Sequence, residues 1–192
     1  MCDEAIHEEV YKGYKISIRR DNNPYNPRED DNFGTIVAFH RRYNFSDRNP
    51  YEDTFNADQF SSWEEFEAYL NRRGYFWLPL YLYDHSVQSI STESFVGRAV
   101  HAEWDSGRLG FILVHKDKVR AEYGVKHISQ KTIEKVFRIL RAEVSEFDSC
   151  IQGEVYGYEV INPKGELVDS CWGFIDGEDY ALEEAKRVVD YQ

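Results

Sequence analysis

Cysteine is scarce, and its few copies form no pattern. The 192-residue chain holds three: Cys2, Cys150 and Cys171. An odd count without metal-type spacing argues against a disulfide framework or a zinc site and predicts reduced thiols in a cytosolic protein. Neither Cys150 nor Cys171 has an adjacent base to lower its pKa, so both are expected to serve the core. The opening MCDEAIHEEV is acidic and has no apolar segment, which predicts no signal peptide. No apolar run approaches the roughly 18 residues of a membrane span. Phosphate loops, dinucleotide fingerprints, paired-histidine metal motifs and the G-x-S-x-G elbow are all missing. No basic aromatic stripe suggests single-strand binding, and there are no heptads, repeats or low-complexity tracts. These absences predict a soluble cytoplasmic protein with no cofactor, no membrane contact and no direct grip on nucleic acid.

Acid and aromatic side chains are what the sequence has in quantity. Asp plus Glu number 35 against 23 Lys plus Arg, a net charge of −12. The surplus is uneven, because Glu143–Gln192 alone holds 13 acids and three bases. Such a segment repels nucleic acid and attracts basic surfaces. Trp, Tyr and Phe number 4, 14 and 12, and Tyr suits half-wet sheet faces and interfaces.

Periodicity predicts strands over 10–20, 35–40, 75–84 and 109–116, the last being the best candidate for a buried strand. Pro79 places its strand at an edge or beside a bulge. The stretches 21–34 and 41–60 read as loops, and 86–101 as strand or loop. A helix is predicted over 61–74, with a capping box from Ser62 and Glu65 and a stop at Gly74. A short helical turn over 116–124 precedes the longest helix, 129–151, with a stripe of Ile133, Val136, Phe137, Leu140, Val144 and Phe147. Its bases come early and its acids late, against the helix dipole, so those charges answer to packing or to a partner. A hairpin around NPKG (154–174) and a closing helix (177–191) finish the chain. Without a regular βαβ rhythm, this predicts an α+β fold with a mainly antiparallel sheet packed by about three helices. The length fits a single domain over 1–192, or two small subdomains meeting near 125–129.

The candidate chemistry is thin. YDHS (83–86) and WDSG (104–107) could bring Asp84, His85 and Asp105 together as the site of a metal-dependent hydrolase or nuclease. Asp, Ser and Gly are also the commonest turn formers, and adjacent Asp, His and Ser are no evidence for a triad. WDSG therefore reads as a tight turn before the buried strand, with Trp104 covering the sheet end. The acids of REDD (28–31) and YEDT (51–54) read as solvated, and the bases of FHRRYN (39–44) as partners of acids such as REDD.

NPYNPREDDNFGTIVAFHRRYN, WLPLYLYDHS, WDSGRLGFILVHKDKVRAEYG and GEVYGYEV…LVDSCWGF, in this order, resemble a family of small, mostly uncharacterised proteins carried by bacterial phages and conjugative elements. Some small acidic proteins of such elements block host defence nucleases. The resemblance thus implies a non-catalytic inhibitor of a host defence effector, an anti-CRISPR protein of the Cas9-directed type, acting in the cytoplasm of the bacterial cell. A channel built to neutralise phosphates would accept carboxylates spaced along a surface. The closing helix offers Asp179, Glu183, Glu184 and Asp190, and the hairpin Glu154, Glu159 and Glu166, with Tyr156, Tyr158 and Trp172 as anchors. Edge strands and surface tyrosines also leave a homodimer open.

Overall fold

A computed structural model describes residues 4–47 and 60–192. The fold is α+β, with two four-stranded antiparallel sheets. The chain divides into two units, one formed by Met1–Pro27 with Ser149–Gln192 and the other by Arg28–Asp148. The stretch 125–129 lies inside the second unit.

In the first unit, β1 (His7–Tyr11) and β2 (Tyr14–Arg20) form a hairpin. Alternation over 10–20 predicts one strand, but Lys12 and Gly13 turn the chain with φ of 49° and 86°. A two-residue turn of this type needs positive φ at both positions, and Lys seldom supplies it, so alternation hides the turn. The NPKG hairpin joins β7 (Tyr156–Ile161) to β8 (Leu167–Phe174), giving the order β1-β2-β7-β8. The closing helix α5 (Glu178–Asp190) buries Ala181, Ala185 and Val189 against Ile16, Ile18, Tyr158 and Val160. Because side chains alternate along a strand, Ser17, Gly157 and Glu159 fall on the opposite face of this sheet.

In the second unit the order is β3 (Thr35–Ala38), β6 (Ser106–His115), β4 (Tyr75–Asp84), β5 (Gln88–Ser91). Leu109–Val114 are buried without interruption because both faces of β6 are covered. On one side lies α1 (Trp63–Arg73), whose Trp63 and Phe66 meet Phe111 edge-on at 5.6 and 4.8 Å. On the other lies α4 (Gln130–Gln152), with Phe137 against Phe76 at 6.0 Å. Four of the six predicted stripe residues of α4 are fully buried: Val136, Leu140, Val144 and Phe147. The α1 cap forms nearly as predicted: Ser62 Oγ accepts the Glu65 N–H at 3.3 Å, but Glu65 reaches back to Ser61. Gly74 ends the helix at φ 83°. Pro79 lies where β4 has no β5 neighbour, one residue before a register shift at Leu80/Tyr81. Both devices tolerate a missing donor.

Arg28 explains the reversed charges of α4. Its side chain is 4% exposed and pairs with Asp47 at 2.5 Å and Glu143 at 3.1 Å. Glu143 also accepts the N–H of Phe33 at 2.7 Å, and Asp148 accepts that of Ile90 at 2.7 Å. Glu143 and Asp148, two of the late acids of α4, thus serve packing, and Glu143 is withdrawn from the acidic surface. Burial opposes the Arg28 charge, but bonds to Asp47 and then Glu143 outweigh it and raise its pKa.

Several expectations need correction. WDSG is no tight turn: Trp104 and Asp105 close a one-turn helix, α2 (Ala102–Asp105), which runs directly into β6 at Ser106. Trp104 is 87% exposed and covers nothing. Arg28 of REDD is buried, whereas its Asp31 is solvated as expected. Arg42 of FHRRYN pairs with Asp84. Cys171 is exposed, and Cys150 donates to the Tyr25 carbonyl. The predicted helical turn is α3 (Lys116–Tyr123). The 41–60 loop shows no regular element over 41–47. YEDT, Cys2 and most of that loop lie outside the described residues. Among the described residues, no helix is long and apolar enough to cross a membrane.

Candidate functional site

The ten residues proposed for partner binding all lie in the first unit, but they do not share one face. Asp179 and Glu183 stand exposed on α5, four residues and about 6 Å apart along its axis. Asp176 and Glu178 extend the row, and none of the four carries an ion pair among the described residues. Three of them stand at the N-terminal end of α5, where the helix dipole favours negative charge. Other predicted acids are already neutralised: Asp190 by Lys12 at 2.9 Å, Glu159 by Arg19 at 3.2 Å, and Glu184 by Arg187. Glu166 closes the NPKG turn, accepting from Asn162 at 2.8 Å, and Glu154 is exposed just before β7.

Of the three predicted anchors, Tyr158 fails. It is 5% exposed and donates its hydroxyl to Asp169 at 2.8 Å, so it belongs to the core. Burial first, then that bond, pushes its pKa well above the ordinary tyrosine range. Tyr156 is half-buried against the same cluster. Trp172 is 41% exposed but lies on Gly157, which faces away from α5. Glu159 and Trp172 therefore stand on the side of the sheet opposite the α5 row. In charge, this unit holds 15 acids against 7 bases, and the second unit 20 against 16. The surplus of the chain is concentrated where it was expected.

The alternative residues do converge. Asp84 ends β4 and Asp105 ends α2, and the register pairing Tyr83 with Ser106 sets the two aspartates side by side. Both line a cavity of about 350 Å³ in the second unit, with His40, Arg42 and Trp104. His85 Nδ1 lies 2.9 Å from Asp105 Oδ2. Arg42 donates to Asp84 at 2.9 Å and Gln88 donates to it at 3.2 Å. The segments FHRRYN, LYLYDHS and WDSGRLG, distant in sequence, thus meet at one place. No known protein family, curated protein or solved structure matches the chain.

Among the described residues, no group of three His, Cys, Asp or Glu side chains is arranged to hold a metal ion. Within this set the direct contact is that between Asp105 and His85, and Asp84 pairs with Arg42 instead. The role of His40 was hidden in sequence. Its only signal was the basic-aromatic cluster FHRRYN, whose bases read as partners of nearby acids such as REDD.

Proposed function

We propose that this protein is a non-catalytic inhibitor carried by a mobile element, which sets the acidic side of α5 into the basic nucleic-acid channel of a host defence effector, with a Cas9-type enzyme as the best candidate. The observation that carries this reading is the row Asp176, Glu178, Asp179 and Glu183, exposed and without ion pairs among the described residues, in a unit with eight more acids than bases. The spacing of Asp179 and Glu183, about 6 Å, is close to the roughly 6.8 Å rise over two nucleotides of a strand. A phosphate-binding channel can therefore meet two carboxylates in place of two phosphates. Binding is expected in the host cytoplasm, with affinity that falls steeply as salt rises. A pull-down against a panel of such effectors, repeated with Asp179→Lys/Glu183→Lys, tests it. Loss of capture by the variant supports the proposal, and equal capture defeats it.

A hydrolase is the second reading, and it draws on the His85–Asp105 contact beside the cavity. It calls for turnover of an ester or phosphodiester that is lost in both His85→Ala and Asp105→Asn. Metal analysis of the purified protein tests the metal-dependent form.

A further inference from the structure

The cavity at the end of β4 and β6 is built more carefully than a chance depression. His40 Nδ1 accepts the backbone N–H groups of Arg42 and Tyr43 at 3.3 and 3.1 Å. Nδ1 therefore bears no proton, and in the neutral ring Nε2 is the donor. The ring is held flat on Tyr43, with centroids 5.0 Å apart and planes 4° from parallel. Asp105 has one oxygen on His85, and its other oxygen has no hydrogen bond among the described residues. Asp84 is braced by Arg42 and Gln88. Trp104 projects at the rim, 87% exposed, the most exposed tryptophan among the described residues. His101, just before α2, sits in the left-handed region at φ 55°. Such backbone is unfavourable for a non-glycine residue and tends to gather at binding sites. Here it aims the helix that presents Trp104 and Asp105.

We infer that this cavity binds a single pyranose ring, a neutral saccharide unit, stacked on Trp104 with its hydroxyls held by Asp84, Asp105, Arg42 and His40. Size, charge and lining each narrow the ligand. About 350 Å³ holds a ring of that size. Arg42 pairs with Asp84 and Arg108 with Glu67 at 3.0 Å, while one oxygen of Asp105 lies against the His85 ring. A phosphate would face Asp84 and Asp105 while Arg42 and Arg108 are already engaged by Asp84 and Glu67, and an apolar ligand would leave these polar groups unpaired. Hydroxyls both donate and accept, so they satisfy carboxylates and N–H donors together. The flat C–H face of a pyranose matches an exposed indole. The inference concerns binding alone and is independent of the α5 proposal; it shares its cavity with the hydrolase reading and disfavours a phosphodiester there.

The test is protein NMR of the full chain, following the Trp104 indole N–H and, in the wild type and every variant, the backbone amides of residues 105–109 that line the cavity, during titration with methyl glycosides of common hexoses and N-acetylhexosamines. A nucleoside and inorganic phosphate are run as separate arms. At least one glycoside is expected to saturate with a millimolar dissociation constant, typical of so small a ligand. Trp104→Ala and Asp105→Asn should each weaken it by about tenfold or more, with the amide spectrum elsewhere unchanged. Trp104 is so exposed that its removal leaves the fold intact, and that variant keeps the test decisive if Asp105→Asn disturbs α2. No saturable shift with any glycoside, binding indifferent to Trp104→Ala, or preference for nucleoside or phosphate over every glycoside each overturns the inference.

Discussion

Replacing Arg28 by methionine removes the charge that two buried carboxylates require. The guanidinium donates to Asp47 at 2.9 and 2.5 Å, Glu143 at 3.1 Å, Asn32 at 3.0 Å and the Gly34 carbonyl at 2.9 Å. Asp47 and Glu143 side chains are only 14% and 12% exposed. Methionine is apolar and of similar length, so the packing loss is small and the electrostatic loss dominates. Removing one partner of a buried ion pair costs about 3–5 kcal/mol, because the other charge stays buried and unpaired. Domains are stable by about 5–15 kcal/mol, so at least about a fifth of the total is at stake. Glu143→Gln is milder, about 1–2 kcal/mol, since one oxygen can still accept from Phe33 or Gly34. Urea denaturation followed by far-UV circular dichroism measures both. A loss below about 1 kcal/mol for Arg28→Met would refute the claim that this network ties α4 to the 28–47 segment.

Gly110→Ala should be strongly destabilising, by about 1–3 kcal/mol or more. A Cβ there would lie 2.0 Å from the Val37 carbonyl oxygen in the β3–β6 ladder, and thermal unfolding reads the loss. Gly157→Ala should lift Trp172 off the sheet, since its Cβ would lie 2.2 Å from the indole. The expected outcome is a red-shifted tryptophan emission with little change in the second unit's hydrogen exchange. Acid should weaken the first unit. Lys15, Lys186 and Lys12 hydrogen-bond Glu8, Glu9 and Asp190 and hold their carboxyls below the ordinary range. The folded chain therefore binds fewer protons than the unfolded one. This stability is present above the ordinary carboxyl range and is lost as pH falls through the lowered folded values, which urea midpoints between about pH 6 and pH 3 will follow.

Local signals carried the parts of the fold that depend on neighbours in sequence. Ser62, Glu65 and Gly74 marked α1 at both ends, and the six apolar residues of β6 read as buried because nothing in them is polar enough to face water. The break at Lys12 did not show, because the turn uses a residue that rarely adopts positive φ. Trp104 was misjudged for a related reason. Large aromatics usually cover something, and only the path of α2 reveals that this one does not. Sites assembled across elements were the least legible. Asp84 and Asp105 could be named as candidates from their local motifs. His40, by contrast, is oriented by two backbone N–H groups and a stacked ring, and no spacing rule encodes that. Likewise, counting acids located the charge surplus but could not tell Asp179 and Glu183, left without ion pairs, from Glu159 and Asp190, neutralised by Arg19 and Lys12.

The central claim is that the α5 row takes the place of phosphates in a basic channel. The most direct measurement is competition: a Cas9-type effector holding labelled DNA is titrated with the wild-type protein and with Asp179→Lys/Glu183→Lys. Displacement by the wild type, weakening as salt rises and reduced about tenfold or more by charge reversal, is the predicted result. Displacement that charge reversal leaves intact, or none at low salt, would contradict it.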